Sequence, residues 1–186
     1  GTHRTFDFTA RGKPHTVAIW GQGNEDPARL VKDLARIVEA ASQVFGGEMP
    51  YERYLFILHL TAGGGGGLEH RATQVDGIAP WRFKPEKSYR GVLALFSHEL
   101  FHAWNVKRLR PAEFWQYDYE RENYTELLWL IEGWTAYYDD LLCQRAGLVT
   151  RDDYLGILAK SISTVFAGPG RLRLSLRESS LDAWIR

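Results

Sequence analysis

Ser97-His98-Glu99-Leu100-Phe101-His102-Ala103-Trp104-Asn105 carries two imidazoles four residues apart inside an apolar run. That spacing predicts a helix with His98 and His102 one turn apart on one face, close enough to share one metal ion, and with Glu99 about 100° round the axis. It is the H-E-x-x-H arrangement of metal-assisted hydrolysis. Two neutral imidazoles hold Zn²⁺ without cancelling its charge, so a water on the ion acidifies towards a pKa of roughly 7 and Glu99 can take its proton. The apolar run Val92-Leu93-Ala94-Leu95-Phe96 immediately before His98 predicts that this helix, Tyr89 to Asn105, is deeply buried.

Two imidazoles do not complete such a site, so a third protein ligand is required. Glu132 is the candidate. It is the lone carboxylate in Leu128-Trp129-Leu130-Ile131-Glu132-Gly133-Trp134-Thr135-Ala136-Tyr137-Tyr138, where burial without a partner would be costly and a cation opposite removes the cost. The plainer alternative is a chance motif on a surface helix beside a partly exposed glutamate. The apolar setting of both segments argues against it.

The 186-residue chain reads as one domain around one core. Apolar residues at 45% and charged residues at 25% exclude a disordered or collagen-like chain. Lys plus Arg and Asp plus Glu both number 23, so no global field draws in nucleic acid or an anionic membrane. No apolar stretch reaches the length of a membrane span. The single Cys143 cannot form an internal disulfide and reads as a buried thiol, which leaves the compartment open. The chain lacks an initial Met and a signal-peptide core and stops within an amphipathic segment, so the expectation is a domain truncated at its C-terminus.

Thr5–Thr9 and Thr16–Trp20 alternate around the turn residues Ala10 to Pro14, which predicts a hairpin. Asp26 and Pro27 open a helix with Leu30, Leu34, Ile37, Val38, Ala41, Val44 and Phe45 on its apolar face, closed by Gly46-Gly47. Tyr54–Leu60 reads as a buried strand whose His59 packs or satisfies a backbone group rather than binding metal. Gly63–Gly67 is either a flexible linker or an edge that a ligand can approach closely, ending in Leu68-Glu69-His70. Arg71 to Ser88 reads as loop. Lys107, Arg108 and Arg110 read as a solvated cationic end to the first metal helix, with recognition of a substrate carboxylate or a salt bridge to an acidic loop as alternatives. The second metal helix is expected to be capped by Asn123 or Thr125 and to end at Gly147; a further helix follows from Thr150 to about Ser163. The segment from Leu172 onward fits strand or helix.

The chain resembles the catalytic domain of the glycyl aminopeptidase family of zinc metallopeptidases, whose members usually carry a PDZ domain after it. Four blocks carry the resemblance in the family's order: Gly66–His70, His98–Pro111, Glu132–Tyr138 and Ser175–Trp184. It implies a thermolysin-like α+β fold, with a small mainly antiparallel sheet beside a helical half. It also implies one Zn²⁺ per chain on His98, His102 and Glu132, with Glu99 as general base. In the related larger aminopeptidases a Gly-x-Met-Glu-Asn segment binds the substrate's free α-amino group. Gly66-Gly67-Leu68-Glu69-His70 is similar, with Leu for Met and His for Asn, so Gly67 and Glu69 become substrate-binding candidates. The thermolysin group often has an acidic residue one turn after the third ligand to orient a zinc histidine. Here that position is Ala136, so Asp139 or Asp140 would have to substitute.

The implied reaction is hydrolysis of the first peptide bond of a peptide with a free N-terminus. Small first residues such as Gly or Ala follow if Trp81, Phe83 or Trp134 line the pocket. The rivals are an endopeptidase using the same site and a catalytically silent scaffold beside a PDZ module. In the related aminopeptidases the oxyanion donor is a tyrosine downstream of the third ligand; Tyr137 and Tyr138 turn away from the metal-facing side of their helix, so the resemblance implies a donor beyond residue 186.

Overall fold

In the computed structural model, which describes residues 3 to 184, the N-terminal hairpin forms where the alternation placed it. Strands β1 (His3–Ala10) and β2 (Lys13–Trp20) pair antiparallel with Ala10 opposite Lys13. The two residues between them, Arg11 (φ 50°) and Gly12 (φ 71°), have the left-handed backbone of a turn that matches strand twist. The strands reach further into the turn region than expected, and Pro14 lies within β2. Pairing of β2 with its other neighbour starts only at His15, so Pro14's missing N–H costs no bond on that side.

Helix α1 (Pro27–Val44) starts as its sequence dictates, with the Asp26 carboxylate accepting from the backbone N–H groups of Ala28 and Arg29. Its buried face is Leu30, Leu34, Ile37, Val38 and Ala41. Gly47 closes it, donating to the Ser42 carbonyl at 2.8 Å. This crossover returns the chain so that β3 (Tyr54–Leu60) lies parallel to β2.

Arg71 to Ser88 is not all loop. It contains β5 (Thr73–Ile78), a central strand parallel to β3, with the short β4 (Gly67–Glu69) antiparallel on its outer side. The strand escapes sequence reading because its buried face is Gln74, Asp76 and Ile78, which inverts the usual apolar-in pattern. Those polar groups are held by a chain of bonds: Tyr54 OH donates to Gln74 Oε1 at 3.2 Å, and Gln74 Nε2 to Asp76 Oδ2 at 2.9 Å.

The sheet order is β1-β2-β3-β5-β4. It is mixed rather than mainly antiparallel: the outer ladders are antiparallel, and the inner ones are parallel because helix α1 and the glycine-rich connection carry the chain back. The glycine run is a tight turn, not a linker. A Cβ on Gly64 would fall 2.5 Å from the Ile78 nitrogen, and Gly66 has φ 90°.

Helix α2 (Glu86–Phe101) packs against the sheet, α1 and α3 (Leu128–Arg145). It starts three residues before Tyr89, after Pro85, and ends sooner than expected: His102 is its C-cap and turns continue to Leu109. The α3 N-cap is Leu127, without a side-chain bond. Thr125 instead accepts from the Leu127 N–H just ahead of it, and Asn123 bonds to Asp118. Gly147 (φ 67°) follows α3 as expected, and Cys143 is buried.

Helix α4 (Arg151–Ala167) is capped by Thr150, which accepts from the Asp153 N–H, and runs a turn beyond Ser163. The closing segment is helical: α5 (Leu176–Leu181) begins with a capping box in which Ser175 and Glu178 satisfy each other's backbone N–H. Ser180 ties α5 to α3 by accepting from the Trp129 N–H at 2.9 Å. No helix among the described residues is long and apolar enough to cross a membrane.

Candidate metal and catalytic site

The helical spacing of His98 and His102 places both rings over the start of α3. His98 Nε2 lies 3.2 Å and His102 Nε2 3.6 Å from the same oxygen of Glu132, Oε2. One ligand atom from each of the three lies within 4.8 Å of the others, a donor set that could hold a metal ion.

The opposite ring nitrogens are already committed. His98 Nδ1 faces Asp139 Oδ2 at 3.0 Å, and His102 Nδ1 faces the Asn105 carbonyl at 2.7 Å. Acceptors at both Nδ1 positions place the protons there and leave both Nε2 lone pairs pointing at Glu132, the tautomer that metal binding needs. Of the two carboxylates anticipated behind the histidines, Asp139 makes the contact.

Asn105 does more than accept. Its Nδ2 donates to the Ile131 carbonyl at 3.0 Å and to Thr135 Oγ1 at 3.2 Å, which locks the turn after α2 to the first turns of α3. Thr135 in turn donates to Ile131 O at 2.6 Å. Sequence reading missed both residues; the available signal was polar side chains three after His102 and three after Glu132, at helical spacing.

Without a metal the cluster satisfies itself by charge. Burial works against protonation of His98, but hydrogen bonds to Asp139 and Glu132 outweigh it and lift its pKa to about 10. Burial likewise works against ionised Glu132, yet His102 and His98 hold its pKa down to about 2. A divalent cation supplies the same compensation, so the donor set and its electrostatics fit one.

Glu99 is buried on the sheet side of the same helix. Burial raises its pKa; His98 and His102 oppose that rise, while Glu69 and Glu132 add to it. Gly67 on β4 lies directly against it: a Cβ at 67 would fall 2.5 Å from Glu99 Oε1 and 2.5 Å from its Cγ. Glu69, two residues along β4 on the same face, brings a carboxylate oxygen within 4.8 Å of a Glu99 oxygen and a His102 nitrogen. All six candidates, His98, Glu99, His102, Glu132, Glu69 and Gly67, therefore meet at one place.

Beside them opens a cleft of about 670 Å³. Its apolar lining includes Leu68, Val106, Phe114, Tyr117, Leu128 and Ile131. The condition for a small first residue is not met by these aromatics: Phe83 is buried against Tyr89, and neither it nor the exposed Trp81 and Trp134 lines this cleft. His70 lines it without joining the metal-binding set, and His59 sits exposed against Trp20. Tyr138 stacks on Phe101 rather than facing the ligands.

The cations after α2 are not a solvated end. Lys107 Nζ pairs with Glu69 Oε1 at 3.0 Å, with the two side chains only 15% and 20% exposed, and sits 5.7 Å from the Tyr117 ring centroid. Arg108 donates to the carbonyls of Pro50 and Arg71, and Arg110 to those of Lys107 and Phe114.

Among solved structures, a crystal structure of an aminopeptidase N family protein from Idiomarina loihiensis superposes with a TM-score of 0.91 at 36% identity, covering 100% of this chain. The present chain spans 32% of that chain's length. No curated protein sequence matches it. Residues 91–186, which carry most of α2, all of α3 and every residue of the His98, His102 and Glu132 set, match the family described as M61 glycyl aminopeptidase. By that match, and with a fold shared along its whole length with an aminopeptidase N family protein, the chain belongs to the M61 glycyl aminopeptidase family.

Proposed function

We propose that the protein is a zinc-dependent aminopeptidase that hydrolyses the first peptide bond of peptides bearing a free N-terminus, using His98, His102 and Glu132 as ligands and Glu99 as general base. The observation that carries this reading is the convergence of both histidine Nε2 atoms on one Glu132 oxygen, with Glu99 buried alongside. Zn²⁺ held by these three would supply a Lewis acid to the scissile carbonyl and the attacking water.

The chain's own groups do the rest. Glu99, its affinity for a proton raised by burial, takes a proton from the attacking water as the C–O bond forms and then delivers it to the leaving amine as the peptide C–N bond breaks. Gly67 keeps the Glu99 carboxylate in place by leaving room for it. Asp139 and Asn105 hold the histidine rings in register. Glu69 accepts the substrate's α-ammonium, which sets the first bond over the base. Gly as the first residue is supported by the family's name, and the cleft supports Ala or another small uncharged side chain through Leu68, Val106 and Ile131.

An endopeptidase using the same site is the second reading, favoured by one observation: Glu69 Oε1 is already taken by Lys107, which leaves only its other oxygen for a substrate ammonium. Alanyl p-nitroanilide and its N-acetyl form, compared on the zinc-loaded protein, decide between them. A charge-assisted bond to the ammonium contributes about 1.5–3 kcal/mol, so the free amine should react about 10- to 100-fold faster. Equal rates would overturn the aminopeptidase reading.

A further inference from the structure

Lys107 lines two depressions. One is the candidate cleft; the other is a trough of about 480 Å³ whose further lining is Arg71, Arg108, Arg110, Trp115 and Gln116. No other described residue is common to both. The chain crosses the same boundary at β4's end, because His70 lines the cleft and Arg71 the trough.

We infer that the Lys107–Glu69 ion pair is the end wall that makes this site an exopeptidase site, and that the trough behind it fits an anionic N-terminal extension. This rests on the aminopeptidase reading above. Lys107 reaches from the turns after α2 to Glu69 on β4, and its 3.0 Å contact closes the gap between helix layer and sheet edge. A peptide extending beyond its α-nitrogen at Glu69 therefore meets the lysine side chain instead of open space.

The chemistry behind the wall follows from its charges. Arg108 and Arg110 donate to backbone carbonyls, which are neutral, and Arg110 lies 6.0 Å from the Trp115 ring centroid. The trough lining contains no carboxylate among the described residues, so its three guanidinium groups keep their positive field. A carboxylate is the group that such planar donors bind best. With the wall removed, an acidic extension gains more than a neutral one.

The test uses alanyl, N-acetyl-alanyl and N-succinyl-alanyl p-nitroanilide on the zinc-loaded wild type, Lys107→Ala and Lys107→Met. Lys107→Ala should raise kcat/KM for the succinyl substrate at least about tenfold, on the scale of opening a pocket to an excluded group, and raise it less for the acetyl substrate. Lys107→Met keeps the bulk and should leave both blocked substrates as poor as in wild type. Lys107→Ser gives the same readout as alanine should the alanine variant not fold. If wild type favours the free amine but neither small variant accepts the succinyl substrate, the wall is refuted and the aminopeptidase reading survives. If wild type cleaves the blocked and free substrates alike, the aminopeptidase reading fails and the wall with it.

Discussion

Gly67 touches Glu99: the space a Cβ would need at position 67 lies 2.5 Å from the Glu99 Oε1 oxygen and 2.6 Å from its Cδ. An edge strand and a buried helix thus meet through a missing side chain, and the position of the proposed base depends on a residue that carries no chemistry of its own.

Replacing that hydrogen tests the dependence. Gly67→Ala should push the Glu99 carboxylate out of place and lower kcat about 10²-fold, the scale of a misplacement near 1 Å, while the thermal midpoint stays near wild type. Wild-type turnover by this variant would show that the contact does not hold the base.

Glu99→Gln keeps the side chain's shape and removes its basicity. It should bind metal as wild type does and lose at least about two orders of magnitude in turnover. Metal content by elemental analysis and initial rates on the same preparation separate the two effects.

Asp139 fixes the His98 ring through Nδ1 at 3.0 Å. Asp139→Asn should weaken metal binding about 10- to 100-fold, read by competition with a chromogenic chelator, because the ring loses its anionic acceptor. Unchanged affinity would assign Asp139 to packing alone.

Asp76 sits fully buried beneath the site, with Oδ2 bonded by Gln74 and Oδ1 without a hydrogen-bond partner. Burial lifts its pKa from 3.8 to about 8; the Gln74 bond opposes this and the Glu99 charge adds to it. A carboxyl raised on folding stabilises the protein below its unfolded pKa and loses that contribution as pH rises through the folded one. Stability from this group should therefore decline between pH 3.8 and about 8. Thermal melts of wild type and Asp76→Asn across that range, at equal metal loading, should diverge as pH rises, with the asparagine variant less sensitive. Parallel curves would show that Asp76 stays in one protonation state.

The helices were legible because local rules decide them: Asp26-Pro27 at a start, Gly46-Gly47 at an end, and paired histidines inside an apolar run. The grouping of His98, His102 and Glu132 could be anticipated from spacing and composition, although Glu132 is half-exposed rather than sealed in an apolar helix and is held by the two imidazoles facing it. Strand β5 was hidden by Gln74 and Asp76, polar groups whose burial is made tolerable by Tyr54, a partner on another strand. The role of Lys107 was hidden too, since helix-end charge favours solvent reading and nothing local announces Glu69 across the cleft. The cleft aromatics Phe114 and Tyr117 were not legible, because they enter from a single 3-10 turn and the loop after it, whose course no periodicity encodes.

The five-glycine run looks like low-complexity sequence, yet its positions are not interchangeable. At Gly63 and Gly65 nothing lies within 4 Å of an added Cβ, whereas Gly64 abuts Ile78, Gly66 holds a left-handed backbone and Gly67 abuts Glu99. Redundant letters thus conceal a sparse message, Gly-x-Gly-Gly, written by the backbone and by the base. Drift among relatives should erase the first and third glycines freely, so the recognisable signature of this sheet edge is shorter than the run that displays it here.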